Sequence, residues 1–482
     1  MLKAFGATFS GALVTLVCHF FTLMFLARLL DAHALGLYFI ALMMVFLLKI
    51  LSDAGIDLAF VKQYQDKNQR GKSCLIFSAF TFRTISCIAV SSLYLLVEST
   101  RTISFLNDIS DVTALTLTMF WMHACRELIL RLLQAERHFS AYATVQVIAA
   151  LLKALLIFSL FALDDVTVGT VLKVEIFAFV VSIVFAAYST RGLLRNALKS
   201  NLRGGKALLL FGYPLYLNAL LALSTEKATQ YIVAALGGPV VVAFYGISER
   251  LADAGRRLFE SFANVYYPSQ AENFAQENKK KATTLAEQSI LWVAFVICSV
   301  IVSFAILRNP LIELIFTADY LSAANAAVGF FGVLLLRSTQ ILMGYFGVTA
   351  GLIFLPIRVS FYSGIVNLAL CLVLFKTYGY EGAVAALLAT QLLMNILYRH
   401  WLAKAGLPID VKPSLTIVMF CVISVVFIFV MAERFYLTLF IFPLFVFTCI
   451  WSHPALATGL KSITEQARLH LRHKAAGKST QQ

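Results

Sequence analysis

Apolar residues gather into long runs separated by short polar breaks, near 8–30, 34–61, 73–97, 112–133, 140–163, 166–189, 207–236, 240–267, 286–307, 322–348, 355–375, 380–402, 413–432 and 435–452. Runs of about 20 residues suit helices that cross a hydrocarbon layer, whereas barrel strands read as shorter alternating segments. The pattern therefore predicts an all-α polytopic membrane protein with fourteen spans. The first run is too long for the core of a cleaved leader and predicts an uncleaved first helix. Pro214 interrupts the seventh.

Composition agrees. The chain has 482 residues, 60% hydrophobic and 13% charged, with a mean hydropathy of +0.84; soluble domains carry roughly 25% charged residues. Cys18, Cys74, Cys87, Cys125, Cys298, Cys371, Cys421 and Cys449 all fall inside apolar runs without metal-ligand spacing, so they read as small core residues and predict no metal site. There is no Walker-type loop, nucleophile motif or paired ligand spacing, which predicts no cofactor, no direct use of ATP and no enzymatic activity.

The net charge of +14 raises the question of nucleic acid, but its distribution answers otherwise. Lys62, Lys67, Arg70, Lys72, Arg131, Arg137, the run Arg191–Lys206, Lys279–Lys281, Arg399, Lys404 and Lys412 fall in loops on one face with Lys3 and the tail residues Lys461, Arg468, Arg472, Lys474 and Lys478. The opposite loops hold Arg28, Arg101, Arg308, Lys376 and Arg434. By the positive-inside rule this asymmetry predicts two cytoplasmic termini and no nucleic-acid partner. The segment Leu307–Ser322, the longest on the outer face, leaves no room for an extracytoplasmic domain.

An internal repeat organises the spans. Leu35-Gly36-Leu37-Tyr38 matches Val242-Ala243-Phe244-Tyr245, each after a helix and a short turn. The same register sets Lys49 against Arg256 and Asp53 against Glu260, and a second match sets Lys153 against Asn367. The predicted organisation is an N-terminal lobe of six spans (1–190), a linker (191–206), a C-terminal lobe of six (207–404), two extra spans (405–453) and a basic tail (454–482).

A charge at the bilayer centre costs several kcal/mol, yet these spans keep many. Lys49, Asp53 and Asp57 recur every four residues and share a helix face, as do Glu249, Asp253, Arg256 and Glu260. Such stripes must line water or pair with another stripe, and a polar path between the lobes accounts for both. The candidate cationic lining is Lys49, Arg83, Arg126, Lys153, Arg256 and Arg337. Of these, Arg83, Lys153 and Arg337 have no acid one turn away and read as unpaired cations that would hold a phosphate or pyrophosphate. Asp53, Asp57, Glu249 and Asp253 are the candidates for ion coupling. His19 and His123 read as core histidines.

Four stretches carry a family resemblance: Leu26-Ala27-Arg28-Leu29-Leu30 with Leu35-Gly36-Leu37-Tyr38 and on through Asp53-Ala54-Gly55; Phe211-Gly212-Tyr213-Pro214-Leu215; Ile315-Phe316-Thr317-Ala318-Asp319-Tyr320; and Tyr378-Gly379-Tyr380-Glu381-Gly382-Ala383. Together they resemble the polysaccharide (oligosaccharide-lipid) flippases of the multidrug/oligosaccharidyl-lipid/polysaccharide (MOP) exporter superfamily, departing at Thr317, where glycine is common. The resemblance implies two six-helix bundles working by alternating access. The implied cargo is an undecaprenyl-pyrophosphate-linked oligosaccharide moved across a bacterial inner membrane for surface polysaccharide. Membrane lipids are implied partners, with H+ or Na+ as candidate coupling ion and polysaccharide polymerase and chain-length proteins as candidate neighbours. The two extra spans are expected to face lipid and line a groove for the lipid tail. The alternatives are a multidrug antiporter, which the abundance of buried Arg and Lys disfavours, and a peptidoglycan-precursor flippase. A membrane glycosyltransferase would need a longer outer loop.

Overall fold

The computed structural model describes residues 2–65, 67–162, 166–202, 205–431, 438–454 and 456–458. The described chain is helical throughout: α1 (Leu2–Leu29), α2 (Ala32–Asp53), α3 (Ile56–Gln65), α4 (Gln69–Ser99), α5 (Ser104–Asp108), α6 (Thr113–Ala135), α7 (Phe139–Ser159), α8 (Val168–Ser189), α9 (Arg191–Leu198), α10 (Gly205–Glu226), α11 (Ala228–Ala275), α12 (Lys279–Ile315), α13 (Ala323–Thr349), α14 (Leu355–Lys404), α15 (Lys412–Val430) and α16 (Ile441–Ser452). Ten of the described helices are long and apolar enough to cross a membrane. Two of these bend sharply, α11 at Gly238 (φ 73°) and α14 at Gly379 (φ 60°). Residues 228–237 complete the pass begun by α10, and α14 makes two passes. The shorter or less apolar helices α6, α10 and α16 fall on three further apolar runs of the sequence. Short polar side chains start several of them: Asp31 accepts the Ala34 N–H at 2.7 Å, and Asn68 accepts that of Gly71 at 2.9 Å.

Three local expectations are corrected. The second apolar run is two helices, because Ala54 (φ 48°) and Gly55 (φ 75°) turn the backbone left-handed between α2 and α3. The segment Leu307–Ser322 is mostly helix, since α12 continues through Pro310 to Ile315. Arg131 is not a loop residue; it lies within α6. The linker is ordered in part as α9, whose Leu193 and Leu194 pack on a core of Phe60, Leu75, Leu128 and Leu208. The tail cations Lys461 to Lys478, Arg203, Arg434 and the side chain of Glu226 lie outside the described residues.

Packing separates two compact units, residues 1–250, 312–323 and 360–386 in the first and 251–311, 324–359 and 387–482 in the second. They do not coincide with the lobes drawn from the repeat: segments of the second lobe pack into the first unit. In that unit α1 lies on α7, α6 and α7 on α8, and α2 on α4 and α6. There, too, α2 and α11 cross. A Cβ on Gly36 would stand 1.8 Å from the Pro239 carbonyl oxygen, and one on Gly246 would stand 2.4 Å from the Phe39 ring. Phe39 and Gly246 are equivalent in the repeat register, and contact between equivalent positions is what a local two-fold axis produces. Nearby, Tyr320 donates to the Leu30 carbonyl at 3.2 Å, and Arg28 donates to that of Leu314. Burial, with Asp31 and Asp319 adding to it, pushes the Tyr320 phenol up, so it stays a donor.

In the second unit α15 packs on α12, with the Cys421 thiol 3.8 Å from the Cys298 carbonyl and the Arg308 guanidinium 4.2 Å from the Phe429 ring centre. The outward side chains of α15 and α16, among them Val422, Val426, Leu444, Phe447 and Trp451, are apolar and exposed, as a lipid solvent allows. The described cysteines carry free thiols, all buried except the half-buried Cys125.

Candidate functional site

The first unit holds the densest set of charges, and α2 and α6 build its centre. Lys49 on α2 reaches Glu127 on α6 at 3.1 Å, not Asp53 on its own helix. The other oxygen of Glu127 meets Arg131, one turn along, at 2.8 Å. Arg126 lies beside them with its guanidinium 5.1 Å from the centre of the Phe179 ring on α8. Among the described residues no carboxylate stands at ion-pair distance from Arg126, and its Nε is buried with no hydrogen-bond partner, as is that of Arg131. Two cations therefore share one carboxylate, and a third lies on the same helix with an aromatic ring for a partner. The His123 ring packs edge-on against Phe179 at 4.4 Å, a core contact.

Arg83 on α4 is corrected: it is not an unpaired cation. Only 2% exposed, it contacts Asp53 at 2.9 Å and Asp57 at 3.8 Å. Asp53 also caps α3, accepting the Asp57 N–H at 3.1 Å. The elbow Asp53-Ala54-Gly55 then rests on α10. A Cβ on Gly55 would stand 2.0 Å from the Gly212 carbonyl oxygen, and Tyr216 donates to the Leu51 carbonyl at 3.2 Å. Two stretches that looked alike to family motifs but lay far apart in sequence thus touch. Asp53 and Asp57 belong to a structural clamp.

Lys153 is corrected in the same way. It pairs with Glu175 on α8, a residue 1% exposed, and both touch the buried Tyr38 hydroxyl, which donates to Glu175 at 2.8 Å and accepts from Lys153 at 3.1 Å. The second repeat places neutral groups at the matching positions. Tyr245 replaces Tyr38, and Asn367, fully buried, exchanges hydrogen bonds with Thr229 at 3.1–3.3 Å in place of an ion pair. Lys153→Met would strand Glu175 in the core, for a loss of about 3–5 kcal/mol. Adding Glu175→Gln is expected to restore most of it. Melting of the purified single and double variants checks this, and a double variant no better than the single would refute it.

On α11 the expected stripe is present. Glu249 is held by Lys227 at 2.8 Å in the first unit. Farther along, in the second unit, Arg256 bonds Asp253 at 2.9 Å and Glu260 at 3.2 Å. Arg337 is half-buried on α13, and it too is corrected: it is not without a partner. Lys49, Asp53, Asp57, Arg83, Arg126, Lys153 and Glu249 thus share the first unit, and Asp253, Arg256 and Arg337 the second. Sequence reasoning counted Glu127 and Glu175 among the charges inside spans, Arg131 as a loop cation and Tyr38 as a landmark of the repeat, but gave none of them a place in the site. The i,i+4 spacing of Glu127 and Arg131 could have flagged the first two; the others meet only through packing.

No curated protein matches the chain. A solved structure described as lipid II flippase MurJ, inward closed conformation, superposes with a TM-score of 0.71 at 14% identity, covering 93% of this chain and 98% of that one. An inward-facing multidrug resistance MATE family transporter of the MOP superfamily gives 0.62 at 14% identity, over 81% and 95%. A MOP superfamily transporter from Pyrococcus furiosus, described by the reversed polarity of its binding pocket, gives 0.52 at 14% identity, over 82% and 94%. At such identities the likeness shows a shared fold. The family profile described as polysaccharide biosynthesis protein matches residues 25–325. The chain therefore belongs to the polysaccharide biosynthesis protein family, on the membrane fold shared by exporters of the MOP superfamily.

Proposed function

We propose that the protein flips an undecaprenyl-pyrophosphate-linked oligosaccharide across the bacterial inner membrane by alternating access, with both termini cytoplasmic. The observation that carries this reading is the surplus of cations around Glu127. Lys49 and Arg131 share a single carboxylate, and Arg126, next to it in sequence, has an aromatic face in place of a counter-ion. A buried cation surplus is costly unless an anion arrives to share it. A pyrophosphate supplies several acceptor oxygens for guanidinium donors. The family assignment supports a polysaccharide precursor as its source. Of the four acids proposed for H+ or Na+ coupling, Asp53 and Asp57 are held by Arg83 in the clamp, Glu249 is paired with Lys227 and Asp253 with Arg256.

Arg126→Gln combined with Lys49→Gln is expected to lower surface polysaccharide at least about tenfold at matched protein levels, the equivalent of about 1.4 kcal/mol. The lipid-linked precursor should accumulate on the inner leaflet. Normal export in the double variant would sink the proposal.

A second reading is flipping of a peptidoglycan precursor, favoured by the likeness to MurJ over 93% of the chain. Rescue of cells depleted of their lipid II flippase would support it; failure to rescue, with restored polysaccharide in an export mutant, supports the first.

A further inference from the structure

We infer that the second unit contains a saccharide subsite, the cavity between α11, α13 and α14. The inference rests on the glycan-lipid reading and names the part of the cargo this cavity takes. The cavity measures about 770 Å³ and is lined by Glu260, Tyr267, Gln340, Tyr345, Pro356 and Tyr398, among others. That size falls within the range of small-molecule sites, about 300–1,000 Å³.

The lining has the chemistry of sugar recognition. A pyranose presents C–H faces that pack on aromatic rings and hydroxyls that need both donors and acceptors. Tyr267 and Tyr345 meet edge-to-face with ring centres 5.0 Å apart, and Tyr267 is left 40% exposed. Phenols and the Gln340 amide both donate and accept, and the Glu260 carboxylate accepts. Gly344 keeps the wall open: a Cβ there would stand 3.3 Å from the Tyr398 hydroxyl.

A neighbouring cavity of the same unit supplies the contrast. It shares Phe259 but is otherwise lined by residues such as Leu258, Phe262, Trp292, Val296 and Val300, and measures about 320 Å³. An alkyl chain would prefer that apolar space, so the polar, aromatic cavity is the one that discriminates for sugar. Cationic candidates stand next to it. Arg256 bonds the lining residue Glu260 at 3.2 Å, and Arg337 lies one turn before Gln340 on α13.

The test uses the full-length protein in lipid nanodiscs and two probes, a short-chain polyprenyl pyrophosphate and the same lipid carrying one N-acetylhexosamine. The wild type is expected to bind the sugar-bearing lipid about tenfold more tightly. Tyr267→Ala with Tyr345→Ala is expected to bring the ratio of the two affinities close to one, while Tyr345→Phe, which keeps the ring, preserves it. If the alanine pair does not yield folded protein, Gln340→Leu and Gly344→Ala test the same ratio. A wild-type ratio of one, or a ratio unmoved in these variants, overturns the subsite and leaves the proposed function standing. Binding of neither lipid by the wild type overturns both.

Discussion

Arg83→Ala is expected to cripple folding before it touches transport. The guanidinium is 2% exposed and holds two carboxylates, at 2.9 and 3.8 Å. Its removal leaves Asp53 and Asp57 facing each other with no cation between them. Breaking a buried ion pair by deleting one partner costs about 3–5 kcal/mol. The damage spreads, because Asp53 also caps α3 and so sets the elbow that rests on α10. The variant should melt far below the wild type in detergent and accumulate poorly. Arg83→Lys should recover part of the loss, since it restores charge but not the planar fork. Arg83→Met with Asp53→Asn and Asp57→Asn should recover more, since the triple change removes the uncompensated charge. A substrate-binding role makes the opposite forecast: Arg83→Ala would melt with the wild type and fail only in export, and that result would overturn the clamp.

Gly55→Ala is the second large effect, and it has an internal control. Gly55 has φ 75°, and Gly238 has φ 73° with ψ 179°, a region that glycine alone ordinarily occupies, so alanine is strained at both. Such strain costs about 1–3 kcal/mol. The surroundings differ. At Gly238 no described atom stands within 4 Å of the added Cβ, whereas at Gly55 the Gly212 carbonyl oxygen would be 2.0 Å away. No flexible side chain can yield there, because both partners are backbone. Gly55→Ala must therefore part α10 from the α2–α3 elbow, and its melting temperature should fall well below that of Gly238→Ala. Gly212→Ala, whose Cβ would stand 2.8 Å from the Gly55 carbonyl oxygen, should lie between them. A Gly55 variant that melts no lower than the Gly238 variant would show that the helix contact does not explain the glycine.

Much of the architecture was legible in the chain itself. Lipid demands that every crossing segment close its own backbone hydrogen bonds, so an apolar run of sufficient length implies a helix wherever it packs. That argument held for α1, α4, α7, α8, α12 and α15. It slipped where one residue decided the backbone: at Ala54 and Gly55 a continuous apolar run hides a left-handed turn. The repeat was also legible, and its register put Phe39 and Gly246 at equivalent positions before their contact was visible.

The candidate site was legible as a set of residues and misread in its pairings. Lys49 and Asp53 stand one turn apart on one helix face, yet each pairs with a different helix, Lys49 with Glu127 and Asp53 with Arg83. Arg83 and Lys153 looked unpaired because their acids are distant in sequence. Which amino acids are charged inside the membrane is a property of one dimension, and the sequence determined it, together with the number of spans and the asymmetry of loop charge. Which charge neutralises which was decided only by tertiary structure. An ion pair forms over about 3–4 Å, a distance set by the helix that lies alongside and not by spacing along the chain.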